Sequence, residues 1–284
     1  MNLNQYLLNC YKYSSLSRIF DNSVFSLVKK KKIRFPVYLS AGQEYVAISI
    51  AMLMKKNVIK PLLFGQHRCH SIYIGFDGNI NELILEFIGS EKGCSNGKGG
   101  SLGLQSKKIG MFGHDGFMGS NASIGIGACY ASNEPTIIFL GDAAVEEDYV
   151  LSSIAWVEKK KLPVIFIIED NDYAVLTKKS DRRNWKIIDV AKSFGLEAFD
   201  VKDDPSIIYD KFKNINFKKP TLINIRTNRL YWHAGAGIDN DKTFDRLDQQ
   251  SKIIGKEKSK LIDAANKKKI IDLWKKHLGI KLEI

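Results

Sequence analysis

The sequence predicts a doubly wound parallel α/β sheet flanked by helices. Two short apolar runs rich in β-branched residues, Ile137-Ile138-Phe139-Leu140 and Val164-Ile165-Phe166-Ile167-Ile168, each lead into acidic or amide side chains. One helix-length segment, Glu146 to Lys160, lies between them and ends before Leu162-Pro163, which is the βαβ pattern of a parallel sheet. A third buried run, Thr221-Leu222-Ile223-Asn224-Ile225-Arg226, has the same character. Ligands of such sheets sit beyond the carboxyl ends of the strands, and Asp142 and Asn171 both fall there. A carboxylate and an amide oxygen suit a hard cation such as Mg²⁺, which takes few protein oxygens and shares its shell with phosphate and water.

The 284 residues are enough to bury a large core as one α/β domain with appended helices. The whole chain, 1–284, reads as a single domain with a helical lead over 1–32 and a helical tail from about 242 to 284. An apolar content of 44% and a charged content of 26% are those of a soluble globular protein. The net charge of +12 comes from lysines in short scattered runs, such as 29–32, 159–161 and 267–269. No basic stripe with interleaved aromatics accompanies them, so nucleic acid is not an expected partner. A solvated face explains them, and attraction of anionic substrates is compatible with them. Cys10, Cys69, Cys94 and Cys129 form no CxxC, which argues against zinc and a disulfide scaffold and fits a reducing cytosol. Met1 to Phe20 contains no apolar core of a secretory signal, and no run approaches the roughly 18 apolar residues of a membrane span. A cytoplasmic location without membrane contact is expected.

In chain order, residues 3–32 form the helical lead, and its Lys-rich end suits a helix C-terminus. Ser40 and Gln43 have capping-box spacing ahead of an apolar helix, Tyr45 to Met54. Next comes Phe64-Gly65-Gln66-His67-Arg68-Cys69-His70, an unusual concentration of cationic groups for a core loop, in which Arg68 offers a fixed fork for phosphate oxygens. A helix from Ile80 to Ile88 leads into the glycine-rich stretch Gly93 to Gly103. Those glycines could cradle phosphate or form a surface turn, but Lys98 is followed by Gly and no Walker motif results. A small-residue helix over Asn121 to Ser132 follows, with Gly125, Gly127, Ala128 and Ala131 available for close packing on the sheet. Ile187 to Phe194 reads as a helix ending at Gly195, followed by a strand through Val201 and a helix from Pro205 to about Ile215. Lys252 to Leu278 reads as one Lys-rich amphipathic helix.

Together GDAAVEED, KKLPVIF and EDNDYAV resemble the thiamine diphosphate motif usually written GDG…NN. They are similar to the α subunit of 2-oxo acid dehydrogenase E1 components and to acetoin-dehydrogenase-type relatives. The resemblance implies that Asp142, Asn171 and the carbonyl of Tyr173 hold Mg²⁺. It also implies that backbone groups of Gly141, Ala143 and Ala144 meet the diphosphate at a helix start, where free N–H groups attract anions. The HRCH segment resembles the family's HRSH or YRxH loop, which implies a diphosphate contact for Arg68 and places His70 at the reacting centre. Gly93 to Gly103 resembles the GCSxGKGGS loop near the mouth of the site. Backbone groups near Gly116 and Met118 are implied to bind the aminopyrimidine. Arg229 to His233 resembles the YRxxxH element, which makes His233 both a cofactor contact and, with His70, a catalytic residue.

Three positions depart from the family pattern. Ala143 puts a Cβ where Gly allows positive φ or close approach, Asp170 replaces the first Asn of the pair, and Gly103 stands where many relatives carry His. Glu44 is not the catalytic glutamate of thiamine enzymes, which comes from the other subunit of split E1 enzymes. The implied function is that of an E1 α subunit. Paired with a β-like chain in an α₂β₂ assembly, it would decarboxylate or cleave a 2-oxo acid or acyloin and pass the acyl or aldehyde unit on, with a lipoyl carrier as a candidate acceptor. A split transketolase-like or carboligase subunit, or a non-catalytic assembly subunit, are the alternatives.

Overall fold

The computed structural model describes residues 1–239, 244–280 and 282. Its strands are β1 (Leu62–Phe64), β2 (Met111–Phe112), β3 (Thr136–Gly141), β4 (Val164–Asp170), β5 (Tyr173–Ala174), β6 (Thr177–Lys178), β7 (Glu197–Lys202) and β8 (Thr221–Arg226). Six of them form one sheet in the order β2-β1-β3-β4-β8-β7, with every pair parallel. The remaining two, β5 and β6, make a separate antiparallel hairpin. From β1 the chain goes to one side for β2 and then to the other for β3, so the loops after β1 and β3 diverge. That reversal is the switch point at which open parallel sheets bind ligands.

The helices are α1 (Leu3–Lys29), α2 (Glu44–Asn57), α3 (His70–Gly75), α4 (Ile80–Phe87), α5 (Ser120–Ser132), α6 (Asp148–Lys160), α7 (Lys179–Arg182), α8 (Ile187–Ser193), α9 (Pro205–Phe212), α10 (Arg246–Ile254) and α11 (Lys256–Leu278). Side chains alternate across the strands and so build two cores. Ile137, Phe139, Ile165, Ile167, Ile223 and Ile225 join the core shared with α1, α2, α4 and α11. Ile138, Leu140, Phe166, Ile168 and Leu222 join the one under α5, α6 and α8. Continuous apolar runs in β3, β4 and β8 are therefore the mark of strands covered on both faces. No helix among the described residues is long and apolar enough to cross a membrane.

Lead and tail pack on each other within the first core. Trp274 is fully buried, stacks on Phe20 and donates its indole N–H to Ser23 Oγ at 2.8 Å. The expected single tail helix is two helices, because Gly255 at φ +96° breaks it. The expected tail positions 242–243, 281 and 283–284 lie outside the described residues. The capping box at Ser40 does not form. Gln43 caps α2 without a side-chain bond, and Ser40 Oγ donates instead to the Arg68 carbonyl at 3.1 Å. In α5 only part of the small-residue set packs on the sheet: a Cβ on Gly125 would meet Phe64 at 2.9 Å, whereas Gly127 has open space and Ala131 is exposed.

The glycine-rich loop binds an anion, but an internal one. The buried Glu86 carboxylate of α4 accepts from four backbone N–H groups, those of Ser95, Gly97, Gly99 and Gly100, at 2.8, 2.8, 2.8 and 3.1 Å. A phosphate would find these four amides already taken. Removing the acceptor strands the buried donors, so Glu86→Ala is expected to cost at least about 3 kcal/mol. That corresponds to a fall in Tm of roughly 6–12 °C. Scanning calorimetry of this variant, with an unchanged Tm as the contrary result, tests the loop's dependence on Glu86.

Candidate active site

A cleft of about 100 Å³ opens beyond the ends of β1, β3 and β4, lined among others by His67, Arg68, Met118, Asp142, Asn171 and His233. Asp142 sits where β3 ends and is almost wholly buried. One of its oxygens, Oδ2, accepts from Arg182 at 2.7 Å; Oδ1 has no partner among the described residues. Burial, and then the neighbouring Asp170, push its carboxyl up to about 6. Gly141, Ala143 and Ala144 line the cleft beside it as the chain enters a short 3₁₀ turn, Ala144–Glu146. Ala143 has φ −81°, an ordinary right-handed conformation, so its Cβ carries no backbone strain.

Asn171 is aimed by a buried relay. Its Nδ2 donates to Gln43 Oε1 at 3.0 Å, Gln43 Nε2 donates to Glu169 Oε2 at 3.2 Å, and Gln66 donates to the same oxygen. The fully buried Glu169 carboxyl is pushed up to about 8, chiefly by desolvation. Asn171 Oδ1 accepts the Tyr173 N–H at 3.2 Å, a turn that Asp172 permits by adopting φ +69°. Asp170 does not line the cleft. It is paired with Lys179 Nζ at 2.7 Å and accepts from Asn224 at 3.0 Å. The charge that replaces the family's Asn is thus neutralised locally.

Arg68 is the positive centre. Fully buried, its guanidinium donates to the carbonyls of Leu39 and His233 at 2.9 and 3.0 Å, and no carboxylate of the described residues pairs with it. Burial and the nearby Arg229 lower its pKa to about 9, which leaves it charged at neutral pH. Arg229 itself is held by Asp239 at 2.5 Å, and its guanidinium lies 5.4 Å from the Tyr173 ring centroid. A buried charge without a carboxylate partner is unfavourable, so an anion in the cleft would be stabilised beside Arg68.

The histidines divide differently from the sequence-based expectation. His233 does face the cleft, with its ring 5.2 Å from that of His67. Burial, Arg68 and Arg229 hold it at about 4, so it is a neutral imidazole at pH 7. His70 does not reach the cleft. Its Nδ1 lies 2.6 Å from Asp21 Oδ1 and its Nε2 2.8 Å from Ser101 Oγ, both in the core beside Phe20 and Phe87. The reason is local: α3 begins at His70, which turns that side chain back toward α1. The cleft-facing histidine of the segment is His67, which was missed. Its two ring nitrogens are buried without partners among the described residues, and burial, followed by Arg68 and the other two cleft histidines, lowers its pKa well below the usual range.

Of the expected pyrimidine contacts, Met118 lines the cleft and its carbonyl accepts from the Tyr149 hydroxyl. Gly116 is exposed and does not line the cleft, and its N–H donates to His114 Nδ1 at 2.9 Å. Among the described residues no three His, Cys, Asp or Glu side chains converge on a metal position. The oxygen donors that line the cleft are the Asp142 carboxylate, the Asn171 amide and the Tyr173 segment, beside the Arg68 guanidinium. That set fits a hard cation bound together with a diphosphate. Arg68→Gln strands no carboxylate and keeps a donor for the carbonyls, so Tm should move by only a few degrees. Its affinity for inorganic pyrophosphate with Mg²⁺ should fall about tenfold or more, the scale of a charge-assisted hydrogen bond. Calorimetric titration checks this, and undiminished binding contradicts it.

Comparison with known proteins places the chain in a family. Residues 11–272 match the family model described as dehydrogenase E1 component. The pyruvate dehydrogenase E1 component subunit alpha-1 of Arabidopsis thaliana is 28% identical over 260 residues, covering 87% of this chain and 64% of that protein. The corresponding alpha subunit of Rickettsia prowazekii is 29% identical over 241 residues, 80% of this chain and 72% of that protein. That of Saccharomyces cerevisiae is 32% identical over 181 residues, 61% of this chain and 41% of that protein. The chain thus spans less than two thirds of the plant relative and less than half of the yeast one. With the family model matched over nearly its whole length, the chain belongs to the dehydrogenase E1 component family.

Proposed function

We propose that this chain is the diphosphate-holding α subunit of a thiamine diphosphate-dependent E1 enzyme that acts on a 2-oxo acid or acyloin. The observation that carries the proposal is the buried, unpaired Arg68 guanidinium beside Asp142 and Asn171 at the switch point of the sheet. Its relatives in plants, bacteria and yeast are pyruvate dehydrogenase E1 alpha subunits, which supports a 2-oxo acid as substrate. When bound, thiamine diphosphate supplies the electron sink for carbon–carbon cleavage.

Asp142 Oδ1, Asn171 Oδ1 and the Tyr173 carbonyl would hold Mg²⁺, while Arg68 and the backbone at 141–144 would hold the diphosphate. His233 and His67 stay neutral at physiological pH, so each can donate a hydrogen bond to the substrate carbonyl from one ring nitrogen and accept a proton on the other. His70 orders the loop behind them through Asp21 and Ser101. The buried walls formed by Leu140, Asn121 and His114 exclude water from the reacting groups.

A β-like partner completes the site in this reading. A small-molecule pocket commonly encloses about 300–1,000 Å³, several times the cleft found here. The partner would supply the missing wall and the aminopyrimidine glutamate, in an α₂β₂ assembly that passes its product to a lipoyl carrier. Glu44 cannot supply that group, since it is tied to Arg18 at 2.6 Å. A non-catalytic role draws little support, because Ala143 is unstrained and Asp170 is neutralised by Lys179. The four unpaired cysteines fit a reducing compartment such as the cytoplasm. Light scattering and a decarboxylation assay, run on the chain with and without its β-like partner, test the reading. Turnover should require both chains, thiamine diphosphate and Mg²⁺; full activity of the isolated chain refutes the shared site.

A further inference from the structure

After Asn171 the chain turns through the β5–β6 hairpin into α7 and lies across the ends of β3 and β4. Apolar burial does not hold this strap down: α7 has no buried residue, and both β6 residues are exposed. Ion pairs do. Arg182 reaches Asp142 Oδ2 at 2.7 Å and Glu146 Oε1 at 2.8 Å. Lys179 takes Asp170 at 2.7 Å, and Arg183 approaches Glu146 at 3.3 Å. Each carboxylate around the cation position is therefore matched by a cation of the strap, while Asp142 keeps one oxygen unengaged.

We propose that Arg182 is a positioning residue that makes this site take a divalent cation and a diphosphate together and reject the bare cation. The inference rests on the cation and diphosphate reading given above and adds to it a role for this chain's own strap. With Arg182 in place, the charges of Asp142 and Glu146 are largely compensated, and a lone divalent cation meets little net attraction. A diphosphate reverses the balance. Its negative charge is attracted by Arg182 and Arg68 alike, and it adds oxygen ligands that the cation lacks in the protein alone. Clamping Oδ2 also leaves Oδ1 as the only carboxylate oxygen of Asp142 available, which fixes its direction.

The test uses Mn²⁺ and inorganic pyrophosphate on the full chain, with bound and free Mn²⁺ separated by electron paramagnetic resonance. In the native chain, pyrophosphate should tighten Mn²⁺ binding about tenfold or more. In Arg182→Ala, Mn²⁺ alone should bind about tenfold more tightly than to the native chain, since a unit charge a few ångströms away is worth that much. The gain from pyrophosphate should shrink accordingly. Arg182→Lys, which keeps the charge, should restore the native pattern and shows that the alanine result is not a folding defect. An alanine variant that binds bare Mn²⁺ no better than the native chain, or that keeps the full pyrophosphate gain, overturns the role of Arg182. If the native chain binds no Mn²⁺ even with pyrophosphate, it is the cation and diphosphate reading that fails.

Discussion

The site depends on one buried charge. Arg68 reaches backward to the Leu39 carbonyl and forward to the His233 carbonyl, so it fixes the segment before α2 and the loop after β8 against the loop after β1. Its position follows from the sheet. Strand β1 is the pivot from which the chain departs in two directions, and the residue four places past Phe64 is drawn into the gap between the diverging loops. A guanidinium in that gap has carbonyls on two sides and, among the described residues, no carboxylate. The geometry holds the chain together and also leaves an electrostatic demand that an anion satisfies.

Around that centre the charges are arranged in shells. Arg68 and the two neutral histidines, His67 and His233, form the face toward the cleft. Behind it, Glu169, Gln43 and Gln66 orient Asn171 without adding full charge, because burial favours the protonated form of Glu169. Outside it, Arg182 and Lys179 compensate the acids at the strand ends. The two departures from the family pattern that bear on the diphosphate motif are absorbed here, Ala143 by an unstrained backbone and Asp170 by its lysine.

The parts legible in the sequence were those with a period or a fixed position. Strands β3, β4 and β8 showed themselves as β-branched runs because both faces are covered. The places of Asp142 and Asn171 in the cleft lining were readable because both directly follow strands of a parallel sheet. Failures came where two structures satisfy one local pattern. His67 and His70 lie three apart in a loop, and only the start of α3 decides which of them faces the cleft. The glycine-rich loop has the composition of a phosphate cradle, yet Glu86 fills it. The available signal was a glutamate beside Leu83, Ile84 and Phe87 on an otherwise apolar helix face. Ser40 and Gln43 had the spacing of a cap, but burial near Arg68 and Glu169 gave both side chains stronger partners.

The central claim, that the switch-point cleft is a joint cation and diphosphate site centred on Arg68, is tested most directly by a crystal structure of the chain soaked with thiamine diphosphate and Mg²⁺. The account predicts diphosphate oxygens against the Arg68 guanidinium and the metal on Asp142 Oδ1 and Asn171 Oδ1. A diphosphate bound elsewhere, or a metal that leaves Asp142 untouched, would contradict it.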